Sequence, residues 1–103
     1  MARIDQILAL LEQTPEDPFL RFAHAKELEN CGLLTAALAA WSWFPENAPD
    51  YNGFYYHYGQ LLAKENQQDK AIFILKQGLD KTKEQGDRHA YSELRSLLDE
   101  VVE

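Results

Sequence analysis

Three histidines, one cysteine and seventeen acidic side chains are the residues through which this chain could do chemistry. His24, His57 and His89 fall on separate predicted helices, with no HExxH and no dense ligand spacing. His89 and Glu93 share a helix face at i, i+4, but two ligands do not complete a zinc site. No metal or other cofactor is expected. Cys31 is the only cysteine, so neither an internal disulfide nor a cysteine zinc site can form. It falls at a helix C-terminus, whose partial negative charge disfavours a thiolate nucleophile, and reads as a structural thiol. His24 reads as a neutral, half-buried packing residue and His57 as a polar rim residue. The glutamates at 12, 16, 27, 29, 84, 93 and 100 read as solvated faces. No phosphate-cradling loop and no paired carboxylate in a pocket can be read, so an enzyme is not expected.

Aromatic side chains are the other resource. Eight of the twelve lie between Trp41 and Tyr58, in "WSWFPENAPDYNGFYYHY". Such a cluster either offers a platform to a partner or fills a core, and the surrounding periodicity decides between them. "IDQILALL" sets Ile4, Ile7, Leu8 and Leu11 on one helical face. "YYHYGQLL" repeats that spacing with Tyr55, Tyr58, Gly59 and Leu62, and "KAIFILKQGL" with Ala71, Ile72, Leu75 and Leu79. The last stretch aligns Tyr91, Leu94, Leu98 and Val101. No alternating strand pattern is present. The fold class is all-α, with about six helices over 2–13, 17–31, 34–44, 51–65, 68–84 and 88–101.

"TPEDP" and "PENAPDYNG" break the pattern through proline, and Asp17 and Asp50 are the expected N-caps. Gly32, Gly86 and Asn66 supply the left-handed residues of the remaining turns. Pro45 should end the third helix about a turn early and leave Trp43 and Phe44 at its terminus. Both are candidates for self-association, since exposed large apolar groups mark contacts.

Bulk properties narrow the partners. Ten Lys and Arg against seventeen Asp and Glu give a net charge of −7, which repels a phosphate backbone and excludes nucleic acid as the expected partner. A partner of basic character fits better. No run reaches membrane-spanning length and no signal-peptide core opens the chain, so the expected location is the cytoplasm, without a membrane role.

Sliding the chain against itself by about 34 residues pairs Pro15 with Pro49, Ala25 with Gly59, Leu28 with Leu62 and Ala37 with Ala71. Trp41 falls on Leu75, and Phe22 on Tyr56. This spacing resembles the tetratricopeptide repeat, whose signature is W-x2-L-G-x2-Y, then A-x3-F, then P. Tyr55-x2-Tyr58-Gly59-x2-Leu62 with Ala71-x3-Leu75 carries it in the second unit, and Ala37-x3-Trp41 with Pro49 in the first. Arg21 and His24 depart from it, standing where large apolar groups usually sit. "DYNGFYYHYGQLL" is also similar to small stand-alone bacterial repeat proteins.

The resemblance implies a right-handed array of antiparallel helix pairs in one domain. Residues 1–15 are then an N-terminal capping helix, 18–51 and 52–85 two repeats, and 86–103 a C-terminal capping helix. It further implies that Trp41, Tyr55 and Tyr58 are core, with Trp41 and Leu75 wedged between layers. Lys83 stands where Pro49 does, which frees the fifth helix to run on. The stripe beside the core stripe would line a groove for a peptide or helical segment: Phe19, Phe22, Lys26, Glu29 and Asn30 on one helix, Tyr56, Gln60 and Ala63 on the next. His57 falls at a matching place of the carboxylate clamp in chaperone-binding members, but the asparagines of that clamp are missing. An adaptor binding a protein or peptide is the functional expectation, with a structural homo-oligomer through the Trp43 region or the terminal helices as the alternative.

Overall fold

The structure, a computed structural model, describes residues 3–103. Among these the chain forms seven helices and no strand: α1 (Arg3–Gln13), α2 (Pro18–Asn30), α3 (Leu34–Trp41), α4 (Phe44–Asn47), α5 (Gly53–Lys64), α6 (Gln68–Gln85) and α7 (Arg88–Val102). They fall into two compact units dividing between Ala48 and Pro49.

In the first unit α2 packs on α1 and on α3. Asp17 caps α2 as expected: its carboxylate accepts from the Phe19 and Leu20 N–H groups at 2.9 and 3.4 Å, and Pro18 opens the first turn. Gly32 turns the chain with φ +75°. The third helix stops at Trp41 and not at residue 44. Ser42 Oγ donates to the Ala39 carbonyl at 2.6 Å, and Pro45, with no N–H to give, fits only the first turn of a new helix. The single turn α4 is the result. It brings Phe44 into the core beside Trp41, and both side chains are fully buried. On α1, Ile7 and Leu11 are buried, while Leu8 stays 43% exposed rather than joining them.

The second unit packs α5 on α6 and α7, and α6 on α7. Gly59 and Gly78 permit this closeness. A Cβ at Gly59 would lie 2.5 Å from Leu75 Cδ2. One at Gly78 would lie 2.7 Å from Tyr55 Cβ and 2.9 Å from Leu94 Cδ1. Ile74, Leu79, Leu94, Leu97 and Leu98 complete the core, and Ile72 is only half-buried. With no proline at residue 83, α6 runs on to Gln85 and ends at Gly86, φ +72°. Asn66, φ +63°, makes the α5–α6 turn.

Asp50 does not cap α5. Its carboxylate pairs with Lys81 at 3.1 Å, while its carbonyl accepts from Gln85 Nε2 at 2.9 Å. Asn52, just before the helix, donates to Gln85 Oε1 and Asp87 Oδ2 at 2.8 and 2.9 Å. Asp87 in turn caps α7 through the Ala90 N–H. That bond, then the Asn52 amide, hold the Asp87 carboxyl below its ordinary pKa. The Tyr55 hydroxyl donates to the Pro49 carbonyl at 2.7 Å, so the loop before α5 is tied at several points to the α6–α7 corner.

Gly78→Val should lower stability by about 1–3 kcal/mol, because rigid Tyr55 backbone-proximal atoms stand in the way. A thermal melt reads this, and an unchanged midpoint would refute the close contact. Tyr55 supplies a pH dependence. Burial, then Asp50 and Glu84, push its hydroxyl up to about 12. Since the folded value is raised above the ordinary 10.0, its contribution is complete below pH 10 and declines as pH climbs toward 12. The melting midpoint should fall over that window in the wild type and less steeply in Tyr55→Phe.

Candidate partner-binding faces

On α2, the side chains at the stripe beside the core are arranged around one buried indole. Trp41 Nε1–H donates to Glu29 Oε2 at 2.7 Å, and the Phe22 ring meets the Trp41 ring edge-on at 5.2 Å and 77°. Phe22, Lys26 and Glu29 are half-buried, whereas Phe19 is 67% exposed and Asn30 exposed. Glu29 is therefore not one of the freely solvated glutamates expected from the sequence. Nor is Glu27, whose carboxylate meets Arg3 Nε at 3.3 Å.

Arg21 departs from the signature and has other work. Its guanidinium lies 4.9 Å above the Trp43 ring, and its Nε donates to the Pro15 carbonyl at 2.7 Å. Trp43 is half-buried and edge-on to Phe44 at 5.1 Å and 88°. Phe44, a candidate for self-association from the sequence, has no solvent access at all. The break at Ser42 turns it inward, so it cannot contribute to self-association in this conformation. His24 is half-buried, and burial, then the Arg21 charge, lower its pKa. The expected neutral imidazole follows.

On α5, Tyr56, His57 and Gln60 are half-buried, with the Tyr56 and His57 rings 5.7 Å apart. Gln60 and Ala63 form one wall of a cleft of about 550 Å³ whose other wall is Leu97, Glu100 and Val101 of α7. Gln68 Nε2 donates to the Val101 carbonyl and fastens α7 to the start of α6. The α7 wall was not singled out from the sequence. Its signal is the doubling of apolar positions at 97–98 beside Leu94 and Val101, a stripe wider than one packing face requires. A second cavity, about 510 Å³, opens at the α6–α7 corner against Thr82, Lys83, Arg88 and Tyr91. Thr82 at its edge is satisfied internally, donating to the Gly78 carbonyl at 2.9 Å.

Among the described residues no group of three or more His, Cys, Asp or Glu side chains could hold a metal ion. His89 and Glu93 form an exposed pair at 3.2 Å. Cys31 sits at the α2 C-cap and is exposed rather than packed away. No helix among the described residues is long and apolar enough to cross a membrane.

Two all-α units, each of packed consecutive helices with a half-open stripe on α2 or α5, define a class of helical repeat protein. No family model and no curated protein matches the chain. Solved structures do. A tetratricopeptide repeat domain protein from Salinibacter ruber, determined in solution, is 37% identical, with a TM-score of 0.80 over 84% of this chain and 88% of that one. A crystal structure of the Salinibacter ruber protein gives 35% identity and a TM-score of 0.79 over 82% and 94%. A protein from Bordetella parapertussis shares the fold at 22% identity, with a TM-score of 0.83 over 99% and 89%. The chain belongs to the tetratricopeptide repeat family.

The Arg21–Trp43 stack should be measurable. A double-mutant cycle with Arg21→Ala and Trp43→Ala is expected to give a coupling of about 0.5–1 kcal/mol in unfolding experiments. Additive losses would show that the two side chains merely lie side by side.

Proposed function

We propose that this protein is an adaptor that binds a peptide or helical segment of a protein partner, and that each unit offers a half-open stripe for it, on α2 in the first and on α5 in the second. The family is a protein-interaction fold in general. The observation that carries the reading is the contrast between adjacent registers of each helix. Ala25 and Leu28 on α2, and Tyr58, Gly59 and Leu62 on α5, are buried, while the residues beside them remain accessible. Those neighbours combine aromatic rings with polar groups: Phe22 and Lys26 with exposed Phe19 and Asn30, and Tyr56 and His57 with Gln60. Aromatic anchors ringed by polar groups are the composition through which interfaces gain most of their energy.

The cleft between α5 and α7, where Gln60, Lys64 and Glu100 stand beside Ala63, Leu97 and Val101, supports a contact of mixed polar and apolar character at the α5 end. A net charge of −7 supports a partner with basic character. Micromolar affinity, about −8 kcal/mol, is the scale expected of such a module.

The test must leave the core intact, which rules out removing Phe22 from its place against Trp41. Tyr56→Ala combined with Gln60→Arg should lower stability by about 1 kcal/mol and leave the protein folded, since both side chains are only half-buried. The same variant should lose the partner that the wild type captures from host extract. Retention of the same partner at equal yield would disprove binding through this stripe.

A further inference from the structure

The surface that Trp41 organises has a chemical preference. We propose, on the reading of α2 as a partner-binding helix, that its face recognises an extended segment carrying a large apolar side chain and, a few residues from it, an arginine or lysine. The apolar group would meet Phe22 and Phe19, and the cation would meet Glu29.

Glu29 differs from an ordinary surface glutamate. One carboxylate oxygen is held at 2.7 Å by the N–H of a fully buried indole, so the side chain is already oriented before any ligand arrives. An oriented acceptor binds a cation without first losing its own rotamer freedom. Hydrogen bonds from a guanidinium or ammonium to a carboxylate are also about twice as strong as neutral ones.

Position adds to this. Glu29 lies in the last turn of α2, which contains no basic residue, and the partial negative charge of a helix C-terminus favours a cation there. Lys26, on the same stripe, stands one turn earlier, so the preferred approach of a cation is from the C-terminal end of the helix. Arg3 pairs with Glu27, and Arg21 lies on the Trp43 ring. Seven acidic side chains against three basic ones in residues 3–48 give that stretch a negative balance, which selects against an acidic or phosphorylated peptide.

Spacing follows from helix geometry. Phe22 and Glu29 are seven residues apart, or about 10 Å along the axis at ~1.5 Å per residue. An extended chain covers that distance in about three residues. The preferred pattern is therefore an apolar residue with Arg or Lys about three positions away.

Random short peptides displayed on phage, selected on the purified protein, test this directly. Wild type should enrich that pattern, and synthetic copies with the cation changed to alanine should bind about 10-fold more weakly, the effect of one charged hydrogen bond. Glu29→Gln keeps an oxygen for the Trp41 N–H, so it should melt like wild type, retain the apolar preference and lose the preference for the cation. The Trp41 indole N–H resonance, assigned with Trp43→Phe, should move on addition of the cationic peptide and stay still with its alanine version.

Enrichment without a cation, or an unchanged cation preference in Glu29→Gln, would overturn the proposal while leaving α2 as a binding helix. Failure to enrich any peptide, or enriched peptides that leave the amide resonances of both α2 and α5 unmoved, would overturn the binding-helix reading as well.

Discussion

A tryptophan without access to water must still have its indole N–H bonded. Trp41 meets that condition through Glu29, on a different helix and twelve residues away. An unmet buried donor costs about 1–3 kcal/mol, and emptying the Trp41 site altogether about 3–5 kcal/mol. Against a total of roughly 5–15 kcal/mol for a small domain, the first unit depends on this one side chain. Phe22 and Phe44 are arranged around its ring, at 5.2 and 5.9 Å. The demand of the core thus reaches the surface: satisfying the indole fixes a carboxylate on the outer stripe of α2.

The two units solve one packing problem with opposite volumes. In the second, Tyr55 on the first helix is large and Gly78 on the second helix contributes nothing, to the point that a Cβ there would sit 2.7 Å from Tyr55. One repeat earlier, the residues in register are Arg21 and Phe44. The aromatic has moved from the first helix to the start of α4, and Arg21 has turned away to cover Trp43. Conserving volume while exchanging its source is what a close-packed core tolerates best. The departure of Arg21 from the repeat signature is therefore coupled to the arrival of Phe44, and to the break at Ser42 that aims it inward.

Periodicity and punctuation made most of the helices legible. Buried positions recur at helical spacing, and Gly32, Asn66 and Gly86 each take the positive φ that their turns demand. Pro18 and Asp17 marked the start of α2, and the residue at 83 foretold the length of α6. What stayed hidden depends on contacts between helices. Asp50 has the identity of a cap but finds Lys81 and Gln85 instead, thirty or more residues away. Glu29 looks like any solvated glutamate until Trp41 is placed beside it. Phe44 and Trp43 are adjacent aromatic residues, and only the turn at α4 decides that the first is core and the second half-open. In the candidate faces, the α5 stripe could be read from register alone, whereas its opposing wall on α7 could not.

Register also separates what packing dictates from what it leaves open. At core positions the two units match in kind: Ala25 with Gly59, Leu28 with Leu62, Ala37 with Ala71, all buried. One register over, the pairs are Phe22 with Tyr56, Lys26 with Gln60 and Glu29 with Ala63, which share an aromatic ring at one end and no charge at the other. The Glu29 carboxylate is held by its duty to the buried Trp41 indole, whereas Ala63 has no such duty and stands against an open cleft. Packing therefore fixes the same kinds of residue at the core register of each unit, and leaves the neighbouring register free to differ between them.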